Sequence, residues 1–386
     1  MSSLFFIALR MLTGDRPKFI GLVSGLTFAT FLMAQQLGIF SGFMRMTGVW
    51  VREVGADVWV VDPETEMVDD LKQMRNGELQ RVRSIEGVQW AVPMYKNYAQ
   101  ARLPDGSSYL IRLVGLDDAT LYGGPPGMAE GDKAALRQDQ AVFVDGHLPE
   151  GELLMNKAKP PLAVRQIGMG DRMDINDHVC RVMGRYDKTR EFFWGTVVYT
   201  TFSRAQAVMP PTRKNTTFIL VKAAPGTHPE DLAERIRDKT RLGAFTTPQM
   251  EWKTIVFVLT KTGILVTFGT TATLGCLIGM LICAQLFWSF VHDNVRYFGM
   301  MKAIGATERM MAFMVAAQAG TVAFIGLGLG LGLACLLAMA TRGKLAFHLG
   351  GDTVAAILIG VFFCTAVAGL ASFLRIRKIE PGIVFR

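Results

Sequence analysis

Apolar residues along this chain gather into four long runs, set apart by one very long polar stretch and two short ones. The first run, Phe19 to about Met44, follows Asp15 and Pro17, a helix start, because proline's fixed φ suits the first helical turn. The second begins between Ile255 and Gly263 and ends near Val291, the third covers about Met310 to Ala340, and the fourth about Thr353 to Leu374. Each run is about 20 residues or longer, enough for a helix to cross the hydrocarbon layer. Gly and Leu alternate strictly over residues 326–333, but a lone strand leaves its backbone unpaired in lipid, so helix is the reading there too. The pattern predicts an α-helical membrane protein with four transmembrane helices, at 19–44 and about 262–291, 310–340 and 353–374.

The opening segment, residues 1–18, places Phe5, Phe6, Leu9 and Leu12 near one face at helical spacing. It reads either as a helix lying along the membrane surface or as a frayed terminus. The first run is too long for a signal peptide's apolar region and is preceded by this separate segment, so it reads as an uncleaved span. Basic residues set the orientation. Arg10, Arg16 and Lys18 precede the first span; Arg296, Lys302 and Arg309 lie between the second and third; Arg375, Arg377, Lys378 and Arg386 follow the fourth. The connection between the third and fourth has only Arg342 and Lys344. The positive-inside rule then puts both termini in the cytoplasm and residues 45–254 outside as one large domain.

Inside the spans, Gly326/Gly330, Gly328/Gly332, Gly275/Gly279 and Gly21/Gly25 form G-x-x-x-G pairs. Small residues four apart let helices approach closely in lipid, within one copy or between two. Gln35, Gln36 and Gln285 are candidates for hydrogen bonds between helices, and Lys261 is close enough to a span end to snorkel. The spans lack the carboxylates and histidines of an ion pathway, which argues against an ion-coupled transporter.

The 45–254 segment reads as mixed α/β. "ADVWVVD" (56–62) and "YLIRLVGLD" (109–117) are strand candidates, "GELQRVRSIEGVQWAVPMY" is helix, Gly87 stop and strand, and "NTTFILVKAAPGTHPEDLAERIRDKT" is strand, turn and helix. Between them, residues 120–212 are rich in Gly and Pro with short strands such as "AVFVD" and "HVCRVMGRY", an inserted β-rich subdomain flanked by two halves of one α/β layer.

Composition narrows the chemistry. Half the residues are hydrophobic and 19% are charged, against about 25% in a soluble domain. The net charge of +8 is dispersed and partly spent on span ends, so nucleic acid is not an expected partner. Of five cysteines, only Cys180 lies outside the apolar runs, and no C-x-x-C occurs. The histidines His147, His178, His228, His292 and His348 are isolated, without H-E-x-x-H, and there is no G-x-S-x-G elbow. The acid pairs Asp69/Asp70 and Asp117/Asp118 read as loop or helix-start decoration, and "NTT" at 215–217 is only a short sequon match. No G-x-x-x-x-G-K-[ST] phosphate loop is present, so no ATP site is expected in this chain. No catalytic residue, metal ligand or cofactor is expected.

One polar interruption stands out. "VHDNVRYFGMMKAIGATERMM" separates the second and third runs and carries Asp293, Arg296, Lys302, Glu308 and Arg309. A charge at a helix centre costs about 2.5–3.5 kcal/mol, so five would cost on the order of 15, and the stretch must lie in water. Met300, Met301, Ile304, Met310 and Met311 make it more apolar than a free loop needs. A short amphipathic helix, stopped near Gly305 and restarted from Thr307, is the expectation.

This stretch resembles the "R-x-x-E-I-G-x-x-K-A-I-G-A-[ST]" segment of MacB/FtsX/LolC-type ABC transporter permeases. The ending "RIRKIEPGIVFR" resembles that family's basic run followed by "P-A-x-x-L-R", with Pro381 matching and Gly382 in place of alanine. The layout of one span, a large external domain and three spans is similar too. "ALRMLTGDRPKFIGLVSGLTFATFLMAQQLGIF" looks most like the DevC-like branch, the permease of the heterocyst glycolipid exporter. Within the loop, Arg296, Gly299, Lys302, Ala303, Gly305, Ala306 and Thr307 match, and Met301 and Ile304 lie between them as further coupling-loop residues, whereas Tyr297 replaces the family's glutamate and Phe298 its isoleucine.

The resemblance implies a bacterial inner-membrane dimer, read here as a homodimer, bound to a separate ABC ATPase subunit through the coupling loop 292–309. It implies a MacB-like periplasmic core at 45–254, with its β-rich subdomain, and an FtsX-like membrane domain at 255–386. It further implies movement of the periplasmic domain driven by ATP hydrolysis in the partner, with a membrane-fusion (HlyD-like) adaptor and an outer-membrane channel in exporting relatives. Lipid, glycolipid, peptide and drug substrates all occur in the family. FtsX-like relatives instead activate cell-wall hydrolases, which is the alternative reading.

Overall fold

The computed structural model describes residues 2–146, 153–155, 165–187, 195–341 and 346–377. Arg342, Lys344, Lys378, Pro381, Gly382, Arg386 and His147 lie outside them. The chain begins with helices α1 (Ser2–Gly14), α2 (Arg16–Thr47) and α3 (Val49–Val54). There follow β1 (Val58–Val61), α4 (Glu78–Arg83), β2 (Val88–Arg102), β3 (Ser108–Leu116), β4 (Gly127–Glu130) and β5 (Ala141–Asp145). Next come β6 (Leu154–Met155), β7 (Arg165–Gln166), β8 (Arg172–Ile175), β9 (His178–Asp187), β10 (Val197–Thr201) and α5 (Phe202–Val208). The domain ends with β11 (Phe218–Ala223), α6 (Pro229–Thr240), β12 (Gly243–Thr246) and α7 (Thr247–Lys261). Four helices complete the chain, namely α8 (Ile264–Asp293), α9 (Val295–Ala303), α10 (Glu308–Ala340) and α11 (Gly351–Arg377). Two compact units result, residues 45–262, and residues 1–44 with 263–386.

In the first of these units β2 belongs to two sheets. Its N-terminal half completes an antiparallel layer in the order β12-β1-β11-β2. Alternation along these strands buries both faces. Val58, Val60, Ile219 and Val221 meet Val82 of α4 and Leu232, Ala233 and Ile236 of α6. Trp59, Val61, Phe218 and Leu220 meet Trp50, Val51 and Val54 of α3 and Met250 of α7. Helix α7 is started by a capping box, with Thr246 Oγ1 accepting from the Gln249 amide and the Gln249 side chain accepting from the Thr246 amide. Next to it on α3, Arg52 pairs with Glu251, and Arg52 Nη2 also donates to Arg45 O at 3.1 Å. Both side chains of that pair keep some water contact, so a double-mutant cycle of Arg52→Ala and Glu251→Ala, read by urea unfolding, is expected to give a coupling of about 0.5–1 kcal/mol.

The C-terminal half of β2 enters a ring of strands that closes on itself, β2–β3–β10–β5–β9–β8 and back to β2. Ile111, Leu113, Val142, Val144, Met173, Ile175, Val182 and Val198 fill its core, and α5 adds Ala205 and Val208. The ring is therefore not confined to residues 120–212. Strands β2 and β3, which precede that segment, supply one side of it, because β10 returns to pair in parallel with β3.

In the other unit α2, α8, α10 and α11 are each long and apolar enough to cross a membrane. Leu22, Leu26 and Met33 of α2, Val315 and Val322 of α10, and Ile357 and Val361 of α11 form a common core, and Ala284 of α8 packs against it. Helix α1 is docked through Ala8 and Leu12, both buried, and the side-chain amide of Gln318 on α10 donates to Ala8 O at 3.1 Å. Phe5, one turn before Ala8 in the same row, and Phe6, which lies off that row, are both exposed. Gln318 is thus the buried interhelical amide. Gln35 and Gln36 are half-buried and Gln285 is exposed, with no hydrogen bond from any of the three among the described residues.

The glycines divide by direction. A Cβ on Gly279 would strike Ala29, on Gly326 it would lie 3.0 Å from Leu26, and on Gly330 2.5 Å from Thr30 Cβ, all residues of α2. Gly275 faces Leu32 at an ordinary 3.7 Å. Gly328 and Gly332 point into open space. The sequence period alone does not distinguish these two rows, since both repeat every four residues.

Candidate functional site

Helix α9 fills the polar interruption between α8 and α10. Asn294 breaks the path of α8, and its carbonyl accepts from the Tyr297 and Phe298 amides at 3.0 and 3.2 Å. Phe298 is the anchor. It is 1% exposed and belongs to the core that holds Leu12 and Met311. The sequence marks Phe298 only as a departure from isoleucine, and its apolar neighbours give no sign of which residue turns inward.

The far end of α9 is closed by a Schellman motif. Gly305 has φ +103, its amide donates to Lys302 O at 3.2 Å, and the Ala306 amide donates to Met301 O at 2.9 Å. A side chain at this left-handed position would be strained, which accounts for the glycine. Thr307 Oγ1 then caps α10, accepting from the Met310 amide at 3.4 Å. Only Ile304 to Thr307 separate the two helices, so α9 is tied at both ends.

With Phe298 and Gly299 turned in, the opposite side of α9 is open. Tyr297, Met300 and Ile304 are 55%, 40% and 88% exposed at positions i, i+3 and i+7, one row along the helix. Arg296 and Ala303 are exposed beside them, while Met301, Lys302 and Ala306 are half-buried. The loop residues of interest, Arg296, Tyr297, Gly299, Met301, Lys302, Ala303, Ile304, Gly305, Ala306 and Thr307, therefore lie on one short helix and its closing turn. A row of apolar side chains bordered by charges is suited to docking, not to chemistry.

Within the 45–262 unit lies a feature that the sequence does not disclose. Asp69 is buried and pairs with Lys96 on β2, while Arg112 Nη1 on β3 lies 3.7 Å from its other oxygen. Lys96 Nζ also sits 3.9 Å from the Trp50 ring centre and donates to Val68 O at 3.4 Å, and Arg112 Nη2 donates to Gly195 O at 3.1 Å. Burial, with Asp69 nearby, raises the pKa of Tyr98 beside this group. The cluster joins α3, the loop after β1, β2 and β3.

Among the described residues no three of His, Cys, Asp and Glu are grouped to hold a metal ion. Cys180 is buried, which pushes its thiol up to about 11 and away from the reactive thiolate. An open groove of about 690 Å³ runs past Tyr98, Leu110, Met209 and Arg213, with no acid among its described lining residues.

Residues 20–239, more than half of the chain, match the MacB-like periplasmic core domain, and residues 269–381 match the FtsX-like permease C-terminal region. The periplasmic region of MacB from Actinobacillus actinomycetemcomitans is similar over 52% of this chain and 94% of its own, at 14% identity and a TM-score of 0.36. The extracellular domain of the noncanonic ABC-type transporter YknZ from Gram-positive bacteria is similar over 50% of this chain and 98% of its own, at 10% identity and a TM-score of 0.32. No curated protein matches the chain. With its four apolar helices, its α/β domain and these two sequence matches, the chain belongs to the MacB/FtsX-like family of ABC transporter permeases.

Proposed function

We propose that this chain is the permease of an ABC exporter in which α9 receives the ATP cycle from a separate ATPase subunit and the domain at 45–254 moves in response. The observation that carries the reading is the exposed row Tyr297, Met300 and Ile304 on a helix pinned from behind by Phe298. An apolar row of i, i+3, i+7 spacing enters a groove on a partner protein. Fixing α9 between the Asn294 break and the Gly305 turn means that a push on it is passed to α8 and α10 and not absorbed by a slack loop. The absence of a phosphate-binding loop supports placing ATP hydrolysis in the partner.

The working unit on this reading is a homodimer in the bacterial inner membrane, with both termini cytoplasmic and the large domain periplasmic. It is of the DevC-like kind and extrudes a lipid, glycolipid, peptide or drug-like substrate, with a membrane-fusion adaptor leading to an outer-membrane channel. The nearly apolar spans support a mechanical role over a polar conduit.

The test is the double variant Met300→Glu/Ile304→Glu, purified with its ATPase subunit. Both side chains are exposed, so folding is expected to be unaffected, while loss of two interface anchors of about 2 kcal/mol each removes the ATPase from the purified complex. Ile304→Leu is expected to keep it. Undiminished co-purification and ATPase rate in the double variant would sink the reading.

A further inference from the structure

A groove of about 650 Å³ opens within the membrane unit between α1, the start of α2 and α9. Phe6, Ile7 and Met11 give it an apolar wall, and Arg10, Asp15, Lys18, Asn294 and Tyr297 its polar part. We propose that this groove holds an anionic phospholipid of the bilayer, with its phosphate at Arg10 and its acyl chains along Phe6 and Ile7.

Three observations favour that occupant. First, α1 is an apolar helix whose inner face is taken by Ala8 and Leu12, leaving Phe5, Phe6 and Ile7 exposed at 45%, 65% and 45%. Such a helix next to a membrane span rests at the level of the headgroups with its aromatic residues among the acyl chains. Second, the charge at the rim is unbalanced. Lys18 is paired with Asp15 at 2.7 Å, whereas the Arg10 guanidinium has no ion pair or hydrogen bond among the described residues. A lone guanidinium beside lipid is complementary to a phosphate, which it can grip with two parallel N–H groups. Third, Tyr297 of α9 also lines the groove, and its phenol is a neutral donor that a phosphate tolerates. With α1 at the headgroup level the groove would face phospholipid of the bilayer, so no other diffusing partner is required.

Because Tyr297 also stands in the exposed row of α9, a lipid seated here would touch the proposed docking helix on its membrane side. The binding itself does not depend on that role, and a chain that never meets an ATPase would still retain the lipid.

The experiment uses the full chain, delipidated in mild detergent and titrated with phosphatidylglycerol or phosphatidylcholine, with bound lipid counted by native mass spectrometry. Wild type is expected to retain phosphatidylglycerol over phosphatidylcholine. Arg10→Ala is expected to weaken phosphatidylglycerol about fivefold, the effect of one basic residue near an anionic headgroup. Arg10→Lys keeps most of the preference, and Tyr297→Glu loses it by repulsion. Excess inorganic phosphate leaves the lipid bound. Equal retention of the two lipids by wild type, an unchanged preference in a folded Arg10→Ala chain, or displacement by inorganic phosphate would each overturn the proposal, the last by making this a free-anion site.

Discussion

Asp69→Ala is expected to destabilise the α/β domain by about 3–5 kcal/mol, the cost of removing one partner from a buried ion pair. Lys96 and Arg112 are each 1% exposed, and Asp69 is the carboxylate paired with both. Without it, Val68 O, Gly195 O and the Trp50 ring still solvate the two cations, but none cancels their charge. Glu64→Ala in the same loop removes only an exposed contact of 3.5 Å to Lys72 and is expected to cost less than about 1 kcal/mol. The triple replacement Asp69→Leu/Lys96→Met/Arg112→Leu is expected to recover most of the loss, since an apolar trio of similar size needs no compensation. Urea unfolding of the four proteins measures this. A cost under about 1 kcal/mol for Asp69→Ala would show that the cluster is not buried in solution.

Gly330→Leu is expected to break the membrane unit, while Gly328→Leu, two residues away, leaves it folded. A side chain at 330 would start 2.5 Å from Thr30 Cβ and 2.8 Å from the Thr27 backbone carbonyl oxygen, neither of which can swing aside. Overpacking of this kind costs about 1–3 kcal/mol or more. Nothing lies within 4 Å of the corresponding position at 328, so a leucine there meets only what surrounds the bundle. Thermal unfolding in detergent is expected to show a clearly lower midpoint for Gly330→Leu alone. If Gly328→Leu instead lowers the dimer fraction at an unchanged midpoint, the open row is the face between copies. Equal losses of midpoint in both variants would contradict the packing described here.

What can be read in advance is whatever local periodicity controls. The valine run around Val58, the alternation from Tyr109 and the helix after Pro229 each announce their element, because burial on one face imposes period two or 3.6 on the residues themselves. Gly305 and Thr307 likewise mark the end of one helix and the start of the next by their own backbone and side-chain chemistry. The closed strand ring is different. It depends on Ala101 meeting Ile175 and on Arg112 meeting Val197, pairings between distant parts of the chain that leave no periodic trace. Asp69 is the sharpest case. Beside Asp70 it looks like a solvated loop acid, and Lys96 between Tyr95 and Asn97 looks like a solvated strand position, yet the fold buries both by bringing them together. Gln318 escapes notice in the same way, since its partner is a carbonyl of α1 that no spacing links to it.

The claim that α9 is the docking helix is tested most directly by the substitution Ile304→Cys, in a chain whose native cysteines are replaced by alanine. The new thiol projects from the exposed row, so with the ATPase subunit present it is expected to cross-link to that subunit, and the yield is expected to change between ATP and ADP. A thiol at this position that reacts with membrane-impermeant reagents from the periplasmic side, or that gives no ATPase cross-link in an active complex, would contradict the account.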